Sequence, residues 1–155
     1  IPLLLMREHG LGLDRVEAIL NRESGLKGVS GLSGDMREIL QAAASGHRRA
    51  ALALDMYVIR LRKAIGAMVA VLGGLDALVF TAGVGEHSAG VRERVCEGLG
   101  LLGIHLDSAR NNASPGDQDI AAPRSPCRIL VVHSDEDWVI ARSCRFLFSN
   151  GEGVA

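Results

Sequence analysis

Two closely spaced glycines follow an apolar run near the middle of the chain, and their spacing suits a ligand-binding turn. Residues 78–81 are apolar or β-branched, and Gly83, Gly85 and Glu86 come directly after them. Glycine lets backbone approach a ligand, and free N–H groups at a helix start favour an anion such as phosphate. The dinucleotide fingerprint is incomplete because position 88 is Ser88, and a P-loop is excluded because no Gly-Lys-Ser/Thr sequence occurs. The alternative is an ordinary strand-to-helix turn.

A second apolar run leads into a second acidic turn. Residues 129–132 predict a strand, and Ser134, Asp135 and Glu136 follow it. Ligands of open α/β sheets bind beyond the carboxyl ends of the strands, so both turns are candidates for one cleft. A carboxylate that faces a polyphosphate normally reaches it through Mg²⁺, which makes Glu136 a candidate. The alternative for Glu136 is a charge that favours a helix N-terminus, with Ser134 as the cap.

The composition favours a globular protein that binds neither nucleic acid nor membrane. The 155 residues are 48% hydrophobic and 23% charged, with a net charge of −1. Basic residues are scattered and aromatic residues amount to 3%, so no nucleic-acid surface is expected. The longest uncharged apolar stretch, residues 64–75, is shorter than the ~20 residues that a membrane span needs.

The cysteines indicate a reducing compartment. Cys96, Cys127 and Cys144 form no Cys-x-x-Cys pair, which is typical of reduced thiols in a cytoplasmic protein. The sequence starts at Ile1 without an initiator methionine, and we therefore expect a piece of a longer protein.

The apolar spacing predicts an α/β fold that is rich in helix. Helices are expected at 13–22, from about 35 to 45, at 47–72, at 88–98 and from about 135 through 147. A buried, parallel-type strand is expected at 76–81, a second at 128–133 and a shorter one at 100–107, with loops at 27–34 and 111–126. Ser33 or Asp35 can cap the second helix, with Glu38 as a capping partner.

Four segments of this chain, taken together, resemble the acetate kinases. They are residues 28–37, 73–86, 91–93 and 131–142, which stand in the family's order. The resemblance implies a ribonuclease H-like domain of the actin and sugar kinase type, helix-rich with a small, mainly parallel sheet. Residues 1–155 are then expected to be the C-terminal, nucleotide-binding portion, with the N-terminal domain absent.

The resemblance also implies which residues contact ligands. Glu136 matches the family's magnesium-associated glutamate. The nucleotide-binding positions that match are Asp35, Met36, Arg37, Gly83, Val84, Gly85, Glu86 and His87. The family usually has asparagine in place of His87, and Thr-Asn in place of Ser134-Asp135. Two interpretations of His87 stay open: a ring that donates to or stacks on the nucleotide, and a surface histidine without ligand contact.

The function that the resemblance implies is phosphoryl transfer from ATP to acetate, giving acetyl phosphate and ADP with Mg²⁺. The family acts as a homodimer, to which the helix at 47–72 is expected to contribute. Its acetate-holding residues belong to the amino-terminal half, so this chain carries no expected catalytic residue and should be inactive alone. The alternatives are a propionate or butyrate kinase fragment and a non-catalytic domain for nucleotide binding or oligomerisation.

Overall fold

The computed structural model describes residues 1–113 and 116–149, which belong to two compact units. The first unit is Ile1–Gly74, and the second begins at Leu75 and contains the sheet. Within the described part of the chain, no helix is long and apolar enough to cross a bilayer.

The first unit is built from helices that pack on one long helix. Its elements are α1 (Pro2–His9), α2 (Leu13–Ala18), a π-helical turn (Ile19–Glu23), α3 (Gly25–Ser30), α4 (Met36–Ala44) and α5 (Arg48–Leu72). Helices α3 and α4 lie against α5. The buried apolar residues of this unit are Val16, Met36, Ile39, Ala50, Ala53, Leu54 and Val58.

Helix α5 confirms the longest predicted helix, but its buried face is shorter than predicted. The ring of His47 accepts a hydrogen bond from the Ala50 amide at 3.1 Å, and Gly73 ends the helix in the left-handed region at φ 74°. Met68 and Leu72, placed on the apolar face by the pattern, are 55% and 70% exposed. Helix α5 has 25 residues and α4 has nine, about 38 Å against about 14 Å, so α4 covers only part of α5.

The segment before α4 differs from the prediction. The helix expected at 13–22 becomes π-helical after α2, and much of the loop expected at 27–34 is α3. Arg49 on α5 donates to the carbonyl oxygens of Val29 at 2.8 Å and Gly28 at 3.1 Å. This contact between residues 20 positions apart fixes the end of α3, and local sequence patterns do not show it.

The second unit contains three strands and four α-helices within its described residues. They are β1 (Ala77–Phe80), α6 (Ala82–His87), α7 (Ala89–Glu97), a 3₁₀ turn (Gly100–Leu102), α8 (Ser108–Asn112), β2 (Gln118–Asp119), β3 (Arg128–Val131) and α9 (Glu136–Ser149). The sheet order is β1-β3-β2. Strands β1 and β3 are parallel, whereas β2 is antiparallel to β3, so the helix-rich α/β expectation holds with a small mixed sheet.

Strand β3 is central and β1 lies at an edge. Leu78 is opposite Ile129, and Phe80 is opposite Val131. Ile129 and Val131 are buried, but β1 contains no buried residue and Val79 is 50% exposed. The strand predicted at 76–81 and its parallel pairing are confirmed. Its predicted burial was wrong, because an apolar run alone does not show how many neighbours cover a strand.

The region between α7 and β3 also departs from the sequence prediction. The strand expected at 100–107 is a 3₁₀ turn with one isolated bridge between Leu106 and Ala121. The loop expected at 111–126 contains β2, although its residues 114 and 115 lie outside the described residues. One Asp119 oxygen accepts from the amides of Ala121 and Ile129, so a side chain stabilises this short pairing.

Candidate functional site

The glycine segment forms a short helix rather than an open turn. Thr81 is the single residue between β1 and α6, and Ala82 takes the left-handed conformation at φ 58°. Gly83 and Gly85 lie inside α6, so the predicted glycine turn was wrong in its geometry. An alanine takes the unusual backbone conformation at this junction, which is uncommon for a residue with a Cβ.

The two glycines of α6 have different surroundings. A Cβ on Gly85 would lie 3.3 Å from the backbone carbonyl carbon of Phe80, so this position permits close packing of α6 on the end of β1. A Cβ on Gly83 would have no neighbour within 4 Å, and Gly83 is exposed. Gly83 therefore offers open backbone surface to a ligand, whereas Gly85 serves the packing of the fold.

Glu86 joins α6 to the turn after β3. Its side chain is 6% exposed. One carboxylate oxygen accepts from the Ser134 amide and the Ser134 hydroxyl, each at 2.9 Å, and the other lies 2.7 Å from Nδ1 of His133. Both oxygens thus bind the turn that leads into α9.

These contacts shift the pKa values of both partners. The His133 hydrogen bond, followed by the Ser134 amide, lowers the pKa of the Glu86 carboxyl to about 2. The Glu86 hydrogen bond and charge raise the pKa of His133, and the charges of Asp135 and Asp117 add to this effect. The pair is therefore most stable with Glu86 ionised and His133 protonated.

His133→Gln is expected to destabilise the second unit most between pH 4.5 and 6.5, the ordinary pKa values of the two groups. The contribution of Glu86 to the free energy of unfolding is complete above pH 4.5 and is lost as the pH falls toward 2. That of His133 is complete below pH 6.5 and is lost as the pH rises through its raised pKa. Urea unfolding of both chains across this range measures the difference, with exposed His105→Gln as the matched control. A loss that did not depend on pH would contradict the ion pair.

Arg92 supports the same helix from another side. Its side chain is buried, and it donates to the carbonyl oxygens of Gly85 at 2.8 Å and Glu86 at 2.7 Å. It also donates to the side-chain and backbone oxygens of Asn111, at 2.8 Å and 2.9 Å. Burial lowers the pKa of the guanidinium, but these oxygens accept from four of its five N–H groups. The sequence segment 91–93 marked the family resemblance without indicating this role.

The other predicted nucleotide segment lies in the first unit, at the start of α4. Asp35 caps the helix, because its carboxylate accepts from the Arg37 amide at 2.8 Å. The Arg37 guanidinium folds back to 2.6 Å from the same carboxylate, and this contact lowers the pKa of Asp35 to about 2. Met36 is buried in the core. As a capping partner, Glu38 was expected to accept a hydrogen bond from the Asp35 amide. This amide donates to the Ser33 hydroxyl, at 3.0 Å.

Glu136 is the first residue of α9, and its side chain lies outside what the structure describes. No group of three or more histidine, cysteine or acidic side chains that could hold a metal occurs among the described residues. Magnesium commonly uses one or two carboxylates and completes its shell with phosphate oxygens and water. Asp135 and Asp137 are exposed at the same turn, so the donor chemistry there fits Mg²⁺. The Ser134 hydroxyl, expected as a helix cap, donates a hydrogen bond to Glu86.

Parallel pairing brings the two predicted turns of the second unit together. Strands β1 and β3 end at the same sheet edge, and the Val132 amide donates to the Phe80 carbonyl at 2.9 Å. This adjacency confirms the reasoning from strand direction. Of the predicted residues here, Gly83 and His87 are exposed, Val84 and Gly85 are half-buried, and Glu86 is buried.

Two surface clefts are lined by other residues of the chain. One of about 260 Å³ in the second unit is lined by residues that include Glu93, Glu97 and His105. The other, about 210 Å³ in the first unit, is mainly apolar and is bordered by Met56 and Tyr57. Neither cleft is lined by a predicted site residue.

Comparison with known proteins identifies the family of this chain. The profile of the acetokinase family matches residues 1–142. The chain belongs to the acetokinase family. The acetate kinase of Gloeothece citriformis is 56% identical over 144 residues, which are 93% of this chain and 36% of that protein. This acetokinase chain therefore spans about a third of the length of that relative.

Solved structures share the fold of this chain. The acetate kinase of Porphyromonas gingivalis superposes with a TM-score of 0.83 at 39% identity, over 95% of this chain and 37% of that one. A propionate kinase from Francisella tularensis gives a TM-score of 0.80 at 33% identity, over 90% of this chain and 35% of that one. The acetokinase chain thus has the architecture that the sequence resemblance implied.

Proposed function

We propose that this chain is the nucleotide-binding part of an acetate kinase that transfers the γ-phosphoryl group of ATP to acetate. One observation carries the proposal: the exposed backbone at Gly83 stands at the same sheet edge as the turn leading to Glu136. Family membership supports the reaction class. Acetyl phosphate and ADP are the products, and the residues that hold acetate belong to the part of the relatives that this chain does not match.

The proposal gives each segment a distinct task. The backbone of residues 83–85 lies against the adenosine and α-phosphate, where the absence of a side chain at Gly83 leaves room. Asp35, Met36 and Arg37 are proposed as separate nucleotide contacts on the basis of the resemblance. Since Met36 is buried, its contact would be through backbone. His87 is exposed next to the segment, where its ring can reach a bound nucleotide.

Glu136 would hold Mg²⁺ through water. When bound, Mg²⁺ neutralises charge on the phosphate oxygens. The chain's own contribution is to fix the backbone against which the nucleotide lies and to keep a carboxylate beside its phosphates. Both tasks are positioning, which is the main protein contribution to phosphoryl transfer.

A propionate kinase is the second candidate, and one observation favours keeping it. The Francisella tularensis propionate kinase shares this fold at 33% identity. The proposal places selection of the acyl chain outside these residues, because the nucleotide side of the reaction is the same for both acids.

A homodimer is part of the proposal as well, since Leu52, Met56 and Ile59 form an exposed apolar row at helical spacing on α5.

Gly83→Val is expected to weaken ADP binding at least about tenfold in the presence of Mg²⁺, because the new side chain occupies the ligand's place. Calorimetric titration of this chain measures the effect. Gly90→Val is the matched control, since Gly90 is also the second residue of a helix, is exposed and has no neighbour within 4 Å of a Cβ. Equal binding by the Gly83→Val variant and the wild type would show that the ligand is placed wrongly.

Trapping of acetyl phosphate as the hydroxamate tests the reaction itself. The chain alone should form none, whereas the chain extended upstream to the length of its relatives should form it. Product from the short chain would contradict the proposal that the acetate-holding residues lie in the part of the relatives that this chain does not match. No product from either would overturn the kinase function.

A further inference from the structure

The carboxylate of Glu86 is placed to hold two segments together rather than to contact a nucleotide. It is buried, and its oxygens bind the Ser134 amide, the Ser134 hydroxyl and the His133 ring. The Ala82 amide at the start of α6 also favours its ionised form. A carboxylate with these partners has little remaining capacity to bind a ligand directly.

The two segments that Glu86 joins are the ones that the proposed function needs at a fixed separation. Glu86 follows Gly85 within α6, and Ser134 precedes Glu136 by two residues. Between these segments, main-chain pairing ends where the Val132 amide donates to Phe80, so the side-chain contacts of Glu86 continue the connection beyond the sheet. Arg92 holds the carbonyl of Glu86 while the carboxylate holds the turn, so both ends of this residue are anchored.

We propose that Glu86 is a positioning residue that sets the distance between the glycine segment of α6 and the turn carrying Glu136. This inference rests on the proposed function, because it concerns the nucleotide and Mg²⁺ that these segments would hold. Mg²⁺ demands a narrow octahedral geometry, and small displacements of a positioned group cost large factors in rate or affinity. Loss of the Glu86 contacts should therefore reduce the benefit that Mg²⁺ brings to ADP binding more than it reduces binding of ADP alone.

The experiment compares Glu86→Ala and Glu86→Gln with wild type, using Glu97→Gln as the control at an exposed position of the same unit. Glu86→Ala removes all the side-chain contacts with the turn. Glu86→Gln keeps an oxygen for Ser134 and an amide for the neutral His133 ring. Two quantities are measured: exchange of the Ser134 amide without ligand, and the ratio of ADP dissociation constants without and with Mg²⁺.

Glu86→Ala should accelerate Ser134 amide exchange and lower the Mg²⁺ ratio, each at least about tenfold. Glu86→Gln should restore the Mg²⁺ ratio to within about threefold of wild type, although it removes the charge that favours protonated His133. Glu97→Gln should alter neither quantity. If Glu86→Ala fails to fold, the double variant His133→Ala with Ser134→Ala removes two of the contacts from the other side and should lower the Mg²⁺ ratio.

Three results would overturn the inference. One is a Ser134 amide that stays protected in Glu86→Ala, and another is an unchanged Mg²⁺ ratio despite lost protection. The third is a wild-type chain that binds ADP equally with and without Mg²⁺. That result would contradict the inference about Glu86 but not the proposed binding of nucleotide. A wild-type chain that bound no ADP would instead overturn the proposed function, while Ser134 exchange would still decide whether Glu86 holds the turn.

Discussion

Arg92→Met should lower the free energy of unfolding of the second unit by about 3 kcal/mol, since several buried oxygens lose their donor at once. Arg92 is 3% exposed and donates to the carbonyls of Gly85, Glu86 and Asn111 and to the Asn111 side chain. A buried acceptor without a partner costs about 1–3 kcal/mol, and costs of neighbouring groups are not additive. The expected loss is large against a total stability of about 5–15 kcal/mol.

Urea unfolding monitored by circular dichroism measures this loss. Arg124→Met makes the same chemical change at an exposed position of the same unit and should stay within about 0.5 kcal/mol of wild type. Arg92→Lys should fall between the two, because a single ammonium group cannot reproduce the planar guanidinium fork. The network would have no stabilising role if Arg92→Met cost no more than Arg124→Met.

Gly85→Ala should destabilise the second unit by about 1–3 kcal/mol, although alanine is the better helix former. The new Cβ would lie 3.3 Å from the Phe80 carbonyl carbon, and this neighbour is backbone that cannot rotate away. The same substitution at Gly83 meets no atom within 4 Å and should leave stability unchanged or raise it by up to about 1 kcal/mol.

Thermal and urea unfolding of the two alanine variants, measured in parallel, give the change in the free energy of unfolding at each position. The substitutions are chemically identical and stand two residues apart in one helix, so helix propensity cannot explain opposite signs. Equal effects at both positions would contradict close packing of α6 on β1. Gly83→Val, in contrast, should lose ADP binding while it stays folded.

The long regular elements could be predicted from the sequence, because repeated apolar spacing over many residues identifies a helix. Helix α5 was predicted almost to the residue, with its glycine end. The exposure of β1 could not be predicted, because a four-residue apolar run carries no information on how many neighbours cover it. The short strand β2 was missed because the Asp119 side chain, rather than an apolar pattern, stabilises it.

The relation between the two turns could be predicted because parallel strands end at one sheet edge. Their detailed connection could not, because it depends on pairs distant in sequence. Glu86 and His133 are 47 positions apart, and Arg92 and Asn111 are 19 positions apart. A single sequence does not reveal such pairs, although an acidic residue beside a conspicuous glycine pair gave a partial signal for Glu86. The ligand contacts of residues 35–37, of residues 83–87 and of Glu136 all stay predictions.

The junction at Thr81 has a mechanical consequence. One residue separates β1 from α6, and Ala82 turns the chain within that single step. A loop of several residues could change its conformation to accommodate a small tilt of the helix, but a one-residue connection cannot. Together with the anchors at Glu86 and Arg92, it makes α6 an extension of the sheet, so that force on one is transmitted to the other. Insertions at this point should therefore be far less tolerated than in an ordinary surface loop.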